Sequence, residues 1–155
     1  MQTTTESQSI SIDPNWKVAV VRSCFNEEMT QGLLDVCLNE MKQLGFHNDQ
    51  VDVVEVPGAF EIPLICKKVA MSDRYDAIIT LGVVIKGATN HFDMIMNEVS
   101  RQIMDIMVDH QIPIIYEVIG CYTQEDAVAR TSADKFNKGK EAAHTVVKML
   151  EVCES

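Results

Sequence analysis

The chain has little positive charge, few aromatic residues and no long apolar run. Its 155 residues include 13 Lys and Arg against 23 Asp and Glu, a net charge of -10, and only 6% are aromatic. Without a basic face the chain has no electrostatic attraction for a phosphate backbone, so we expect no nucleic-acid partner. No stretch is apolar for long enough to form a membrane helix, so we expect no membrane partner.

Cysteine is present, but without a recognisable pattern. The five cysteines are an odd number, and none has Cys-x-x-Cys spacing. We interpret them as reduced, mostly buried thiols, which places the protein in the cytoplasm. No grouping of His, Cys and Asp has metal-ligand spacing, so we expect no metal site.

The remaining composition predicts one domain. With 46% hydrophobic residues, the chain is long enough to build a core, and it has neither an internal repeat nor an interdomain linker. Residues 1–15 are polar and rich in Ser and Thr, without the basic and apolar regions of a secretory signal. We therefore expect a flexible arm at 1–15 and a single domain at 16–155.

Strand and helix patterns alternate along this domain. Short apolar runs predict strands at 17–21, 51–56, 76–85 and 112–119. Apolar residues at helical spacing predict helices at 27–44, 59–71, 90–109, 124–130 and 137–152. This order is typical of an α/β fold, in which helices cover both faces of a parallel sheet.

One strand-to-helix junction is a candidate anion site. In LGVVIKGATNHFDMI, residues 81–95, an apolar strand stops at Gly87 and a helix begins near Asn90. Ligands of open α/β sheets bind at the carboxyl ends of strands, and helix N-termini hold anions. The sequence therefore predicts a phosphate site here with His91 beside it. The alternative is an ordinary turn followed by a solvated histidine.

Four stretches resemble the lumazine synthases, which catalyse the penultimate step of riboflavin biosynthesis. They are VPGAFEIP (Val56–Pro63), GVVIKGATNHFD (Gly82–Asp93), AVAR…NKGKEAA (Ala127–Ala143) and, more weakly, Cys24-Phe25-Asn26. The resemblance covers nearly the whole chain from Trp16 onward. It implies a flavodoxin-like three-layer α/β/α sandwich around a four-stranded parallel sheet.

The resemblance also implies a reaction and an assembly. Members are transferases that join 5-amino-6-(D-ribitylamino)uracil to 3,4-dihydroxy-2-butanone 4-phosphate, giving 6,7-dimethyl-8-ribityllumazine without a cofactor or metal. They form homo-pentamers, and in some members pentamers build decamers or icosahedral shells. Two alternatives stay open: a divergent relative that binds lumazine or flavin with low turnover, and a relative whose selected property is shell formation.

Roles for individual residues follow from the same resemblance. It implies that His91 is catalytic and that phosphate binds to Gly87, Ala88, Thr89 and a neighbouring subunit's Arg130. It implies that the substrates contact Phe25, Asn26, Ala59, Phe60, Glu61, Val84, Ile85, Tyr116 and Lys138, with Tyr116 again from a neighbour. Taken alone, Phe25 would be a core residue, Asn26 a helix N-cap, Glu61 a first-turn acid and Arg130 a solvated helix-end residue.

Several positions differ from the commonest family pattern. Ser23-Cys24 replaces a frequent Gly-Arg pair, and Cys121-Tyr122 stands where small hydroxyl residues are usual. Ala129 stands where an acid often precedes the arginine, and residues 131–136 have an unusual composition. We expect Tyr122 and Ala129 to affect pocket shape or affinity. The 131–136 loop keeps a compact length, so we expect at least a pentamer and leave the shell open.

Overall fold

A four-stranded parallel sheet runs through the centre of the chain. The computed structural model describes residues 11–154. Its strands are β1 (Val18–Ser23), β2 (Val51–Val56), β3 (Ala77–Ile85) and β4 (Ile114–Cys121). They pair in the order β2-β1-β3-β4, and every pair is parallel. The predicted α/β fold with a four-stranded parallel sheet is confirmed.

The helices lie close to their predicted positions. They are α1 (Glu27–Leu44), α2 (Ile62–Met71), α3 (His91–His110), α4 (Gln124–Thr131) and α5 (Lys138–Glu154). The largest difference is at α2, whose helix was expected from residue 59, whereas Ala59–Glu61 form a separate 3-10 turn. Pro63 in the first turn of α2 has no N–H to bond back to Ala59, so the α-helical pattern starts only at Ile62.

Helices cover both faces of the sheet. Side chains of successive β1 residues point in opposite directions, so Val18 and Val20 join the core beneath α1, α4 and α5. Ala19 and Val21 join the core beneath α2 and α3.

Strands buried on both faces are mainly apolar, which is why most of β1 and β3 reads as hydrophobic runs. Two of their buried polar residues have partners: Arg22 pairs with Glu55 at 2.9 Å, and Thr80 Oγ1 donates to the carbonyl oxygen of Ile115 at 3.2 Å.

The strand order creates a crevice at one edge of the sheet. From β1 the chain goes to β2 on one side, and from β3 it goes to β4 on the other. The connections that leave β1 and β3 therefore diverge at their carboxyl ends. In open α/β sheets this switch point is where ligands bind.

The last residues of the predicted N-terminal arm contact the domain. Ile12 packs against the α1–α5 core, and Gln50 Nε2 donates hydrogen bonds to the carbonyl oxygens of Asp13 and Trp16, both at 2.9 Å. Residues 1–10 of the arm lie outside the described residues. Between residues 11 and 154, no helix combines the length and apolarity needed to cross a membrane.

Candidate active site

A cavity of about 600 Å³ opens at the carboxyl ends of β1 and β3. The β1–α1 loop, the β2–α2 connection, the end of β3 and the first turns of α3 form its walls. Its lining residues are Phe25, Asn26, Gly58, Ala59, Phe60, Glu61, Val83, Val84, Ile85, Gly87, Thr89, His91, Phe92, Met94 and Ile95. Most of the predicted site residues of one chain therefore meet in one place, although four segments of the sequence supply them.

The β1–α1 loop is held between β2 and β3. The backbone N–H of Cys24 donates to Val56 O at 2.8 Å, and that of Phe25 donates to Pro57 O at 3.0 Å. Asn26 has a left-handed backbone, with φ 57°, and its side chain makes no capping bond to α1. Its Nδ2 donates instead to Val83 O at 2.9 Å. Asn26 stands at the N-cap position, but its side chain ties the loop to β3 and places it at the cavity.

Two phenylalanines stand exposed at the cavity. Phe25 exposes 69% of its surface and Phe60 exposes 58%. The alternative interpretation of Phe25 as a core residue is therefore wrong, because its ring faces the opening and not either core. Exposed apolar rings that line a concave site are typical of surfaces that contact planar ligands.

The turn between β3 and α3 is open and ends at a helix N-terminus. A Cβ added to Gly87 would meet no atom within 4 Å, so the backbone there is accessible. The His91 backbone N–H lies 3.4 Å from Thr89 Oγ1, and His91 is the first residue of the 20-residue helix α3. Free N–H groups and the dipole of a long helix favour an anion at such a turn. Ala88 lies within this turn, although it is not among the lining residues.

Three predicted site residues lie away from this cavity. Arg130, on α4, donates from Nη1 to the carbonyl oxygen of Asp126 at 3.0 Å. Lys138, at the start of α5, pairs with Glu141 at 2.8 Å. The Tyr116 hydroxyl on β4 is buried with no hydrogen-bond partner among the described residues, and burial raises the pKa of Tyr116 to about 12. One chain alone does not bring these side chains to the cavity.

Glu117 is an acid with a raised pKa that the sequence does not indicate. It follows Tyr116 on β4, so its side chain points to the opposite face of the sheet, toward α5. Burial raises the pKa of Glu117 to about 7, with a further increase from Glu141 and an opposing effect of Lys138. The sequence shows only an acid within a strand, because the shift depends on residues of a distant helix.

Five lining residues were also not assigned to the site from the sequence. They are Gly58, Val83, Phe92, Met94 and Ile95. Met94 and Ile95 follow His91 by three and four residues, the spacing of side chains on one helical face. This spacing could have indicated from the sequence that Met94 and Ile95 belong to the site. Among residues 11–154, no group of three or more His, Cys, Asp or Glu residues is arranged to hold a metal ion.

A comparison with protein families finds a match that covers both the fold and the site. A family model described as 6,7-dimethyl-8-ribityllumazine synthase matches residues 15–154. This range includes every strand and helix described above and all residues that line the cavity.

Proposed function

We propose that this chain catalyses the reaction of its family. The chain belongs to the 6,7-dimethyl-8-ribityllumazine synthases, which are transferases of riboflavin biosynthesis. The chain condenses 5-amino-6-(D-ribitylamino)uracil with 3,4-dihydroxy-2-butanone 4-phosphate. The observation that supports this most is the shared cavity, where exposed aromatic rings, an open anion turn and His91 lie together. Each feature suits a different part of the two substrates.

The aromatic side of the cavity receives the ribitylaminouracil. Phe25 stacks on the planar pyrimidine, because aromatic rings favour offset stacking on flat π-systems. Val84 and Ile85, at the end of β3, contact the ring edge. The hydroxyl-rich ribityl chain lies along Asn26 and along Ala59, Phe60 and Glu61, where amide and carboxylate groups can hydrogen-bond to it.

The turn after β3 receives the phosphate of the second substrate. A chain with a net charge of -10 repels a dianion at long range, so local positive potential is needed to bind one. Backbone N–H groups of Gly87, Ala88 and Thr89, with the N-terminus of α3, supply it. A guanidinium from a second subunit, Arg130, adds a planar pair of donors that suits phosphate oxygens.

His91 carries protons during the condensation. The primary amine attacks the ketone to form an imine and water. Loss of the adjacent carbon-bound proton and of phosphate then gives an enol that tautomerises to a new ketone, and the ribitylamino nitrogen attacks this carbonyl with loss of water to give the lumazine. The substrate supplies the nucleophile, so the protein orients the reactants and moves protons. Imidazole suits this role near neutral pH, and general acid–base help is worth typically ~10²–10⁴-fold in rate.

The complete site needs at least two subunits of a homo-pentamer. The side chains of Arg130 and Lys138 are partly exposed to solvent outside the cavity of their own chain, so they can act only at the cavity of another copy. The Tyr116 hydroxyl is instead buried in its own chain, so its predicted contact with a neighbour's substrate would require this side chain to move. Large apolar side chains on α2 and α3 are exposed in the single chain and fit burial in an assembly; they are Leu64, Met71, Met94, Met104 and Val108. The compartment is the cytoplasm, which the five free thiols support.

The direct test is to mix the purified protein with both substrates and follow lumazine absorbance and fluorescence. We expect a rate above that of the uncatalysed condensation measured in the same buffer. A folded oligomer without such a rate would overturn the proposed reaction. Tight lumazine or riboflavin binding without turnover would favour the low-turnover alternative, and large particles without turnover would favour shell formation.

A further inference from the structure

Tyr122 contacts two residues that flank the Gly87–Thr89 turn in sequence, one before it and one after it. Its ring centre lies 5.8 Å from that of Phe92, at an interplanar angle of 42°. The Lys86 Nζ lies over the same ring, 5.2 Å from its centre. Tyr122 exposes 70% of its surface, so its bulk contributes little to either core. An aromatic ring in such a place acts mainly through the groups that it touches.

Lys86 is the cation nearest in sequence to the turn. It follows β3 directly, and Gly87 comes next. Its backbone N–H donates to Cys121 O at 2.8 Å, which extends the pairing of β3 with β4 by one residue. This bond sets the backbones of Lys86 and Tyr122 side by side. The ammonium group then lies on the face of the ring, where the negative π-surface attracts it.

Phe92 is fixed from two directions. It is buried, with 9% of its surface exposed, and it follows His91 in the first turn of α3. Gly120 lies beneath it, since a Cβ there would be 3.0 Å from Phe92 Cζ and 2.9 Å from Met96 Cε. Tyr122 contacts the ring from outside. The end of β4 is therefore shaped around the first turn of α3, which carries His91.

We propose that Tyr122 is a positioning residue for the phosphate-bearing substrate. Its ring holds the ammonium group of Lys86, the residue immediately before Gly87, and the contact with Phe92 fixes the ring itself. The inference rests on the proposed function, because it requires the substrate phosphate to bind at this turn. A phenyl ring can make both contacts, so the hydroxyl of Tyr122 is dispensable, whereas the aromatic face is not.

The test compares Tyr122→Phe with Tyr122→Leu in steady-state kinetics. We expect Tyr122→Leu to raise the KM for the butanone phosphate about two- to fivefold, the effect of one exposed cation–π contact. The KM for the ribitylaminouracil and kcat stay unchanged, and Tyr122→Phe behaves like the wild type. Equal changes for both substrates, or no change in Tyr122→Leu, would overturn the proposal.

A double-mutant cycle with Lys86 tests the route of the effect. Lys86→Met alone should also raise the KM for the butanone phosphate. Since Tyr122 acts through Lys86, Tyr122→Leu should add little in the Lys86→Met background. Fully additive effects would show that Tyr122 acts independently of the lysine, and the proposal would fail.

Inorganic phosphate binding provides a readout that does not depend on turnover. Calorimetric titration of the wild-type oligomer, Tyr122→Phe and Tyr122→Leu should give weaker phosphate binding in the leucine variant alone. If phosphate binds in this way but no lumazine forms, the proposed reaction fails while the role of Tyr122 stands. If lumazine forms and phosphate affinity is equal in all three proteins, the role of Tyr122 fails while the reaction stands.

Discussion

Gly139 and Leu33 hold α5 against α1 without room for a side chain. A Cβ on Gly139 would lie 2.2 Å from the carbonyl oxygen of Leu33. The Gly139 backbone N–H donates to Asn137 Oδ1 at 2.7 Å, and Asn137 Nδ2 donates to Ser132 O at 2.9 Å. The missing side chain of Gly139 therefore sets the distance between two helices that enclose one core.

Gly139→Ala should destabilise the protein. In an exposed helix position this change would stabilise by roughly 0.8–1 kcal/mol, but the clash with Leu33 forces the helices apart. We expect a loss of about 1–3 kcal/mol in the free energy of unfolding, measured by urea denaturation. Lys140→Ala, at the exposed next position, is the matched control and should change stability little. A stabilised Gly139→Ala variant would contradict the close packing.

His91→Ala should lose activity while keeping the fold. The residue is exposed at the start of α3, so the thermal midpoint stays the same, whereas kcat falls by about 10²-fold or more with the loss of proton transfer. Lumazine formation at saturating substrate concentrations measures this. His144→Ala is the control, because His144 pairs with Glu40 on the far side of the sheet. Equal kcat in His91→Ala and the wild type would remove His91 from the mechanism.

Subunits with complementary defects should restore activity when mixed. If Arg130 serves a neighbour's cavity, oligomers of equal parts His91→Ala and Arg130→Ala contain about a quarter of sites with both side chains intact. Recovery of activity is measured in oligomers verified by native mass spectrometry. The control mixes His91→Ala with the double variant His91→Ala/Arg130→Ala, in which every site lacks the imidazole. Verified mixed oligomers that stay inactive would oppose the shared site.

Glu117→Gln should change how stability depends on pH. The pKa of Glu117 is raised from 4.5 to about 7 in the folded chain, so between these values the folded state holds more protons than the unfolded state. The stability that Glu117 contributes to the folded state is therefore fully present below pH 4.5 and is lost as the pH rises through 7. After allowance for solvent screening of a partly exposed group, Glu117→Gln should gain about 1 kcal/mol over the wild type between pH 4.5 and 8.

Urea midpoints of both proteins across that pH range measure the difference. Glu125→Gln, at an exposed position in the first turn of α4, is the control. Its urea midpoint should change with pH in the same way as that of the wild type. The same pH dependence in Glu117→Gln as in the wild type would show that Glu117 does not titrate in this window.

Local patterns in the sequence determined the order and approximate bounds of the elements. Helix α1 was predicted at 27–44 and is found there, because its apolar spacing and the stop at Gly45 depend on residues a few positions apart. Gly45 has φ 118°, a conformation that favours glycine. Each of the four stretches that carry the family resemblance is likewise local, so the family could be identified from them together.

The tertiary structure alone decided which side chains meet. Phe25, Phe60 and His91 belong to separate segments and share a cavity only because parallel strands bring their carboxyl ends to one edge. The same holds for the contact of Tyr122 with Lys86. These relationships, like the raised pKa of Glu117, depend on residues distant in sequence, and no local periodicity records such contacts.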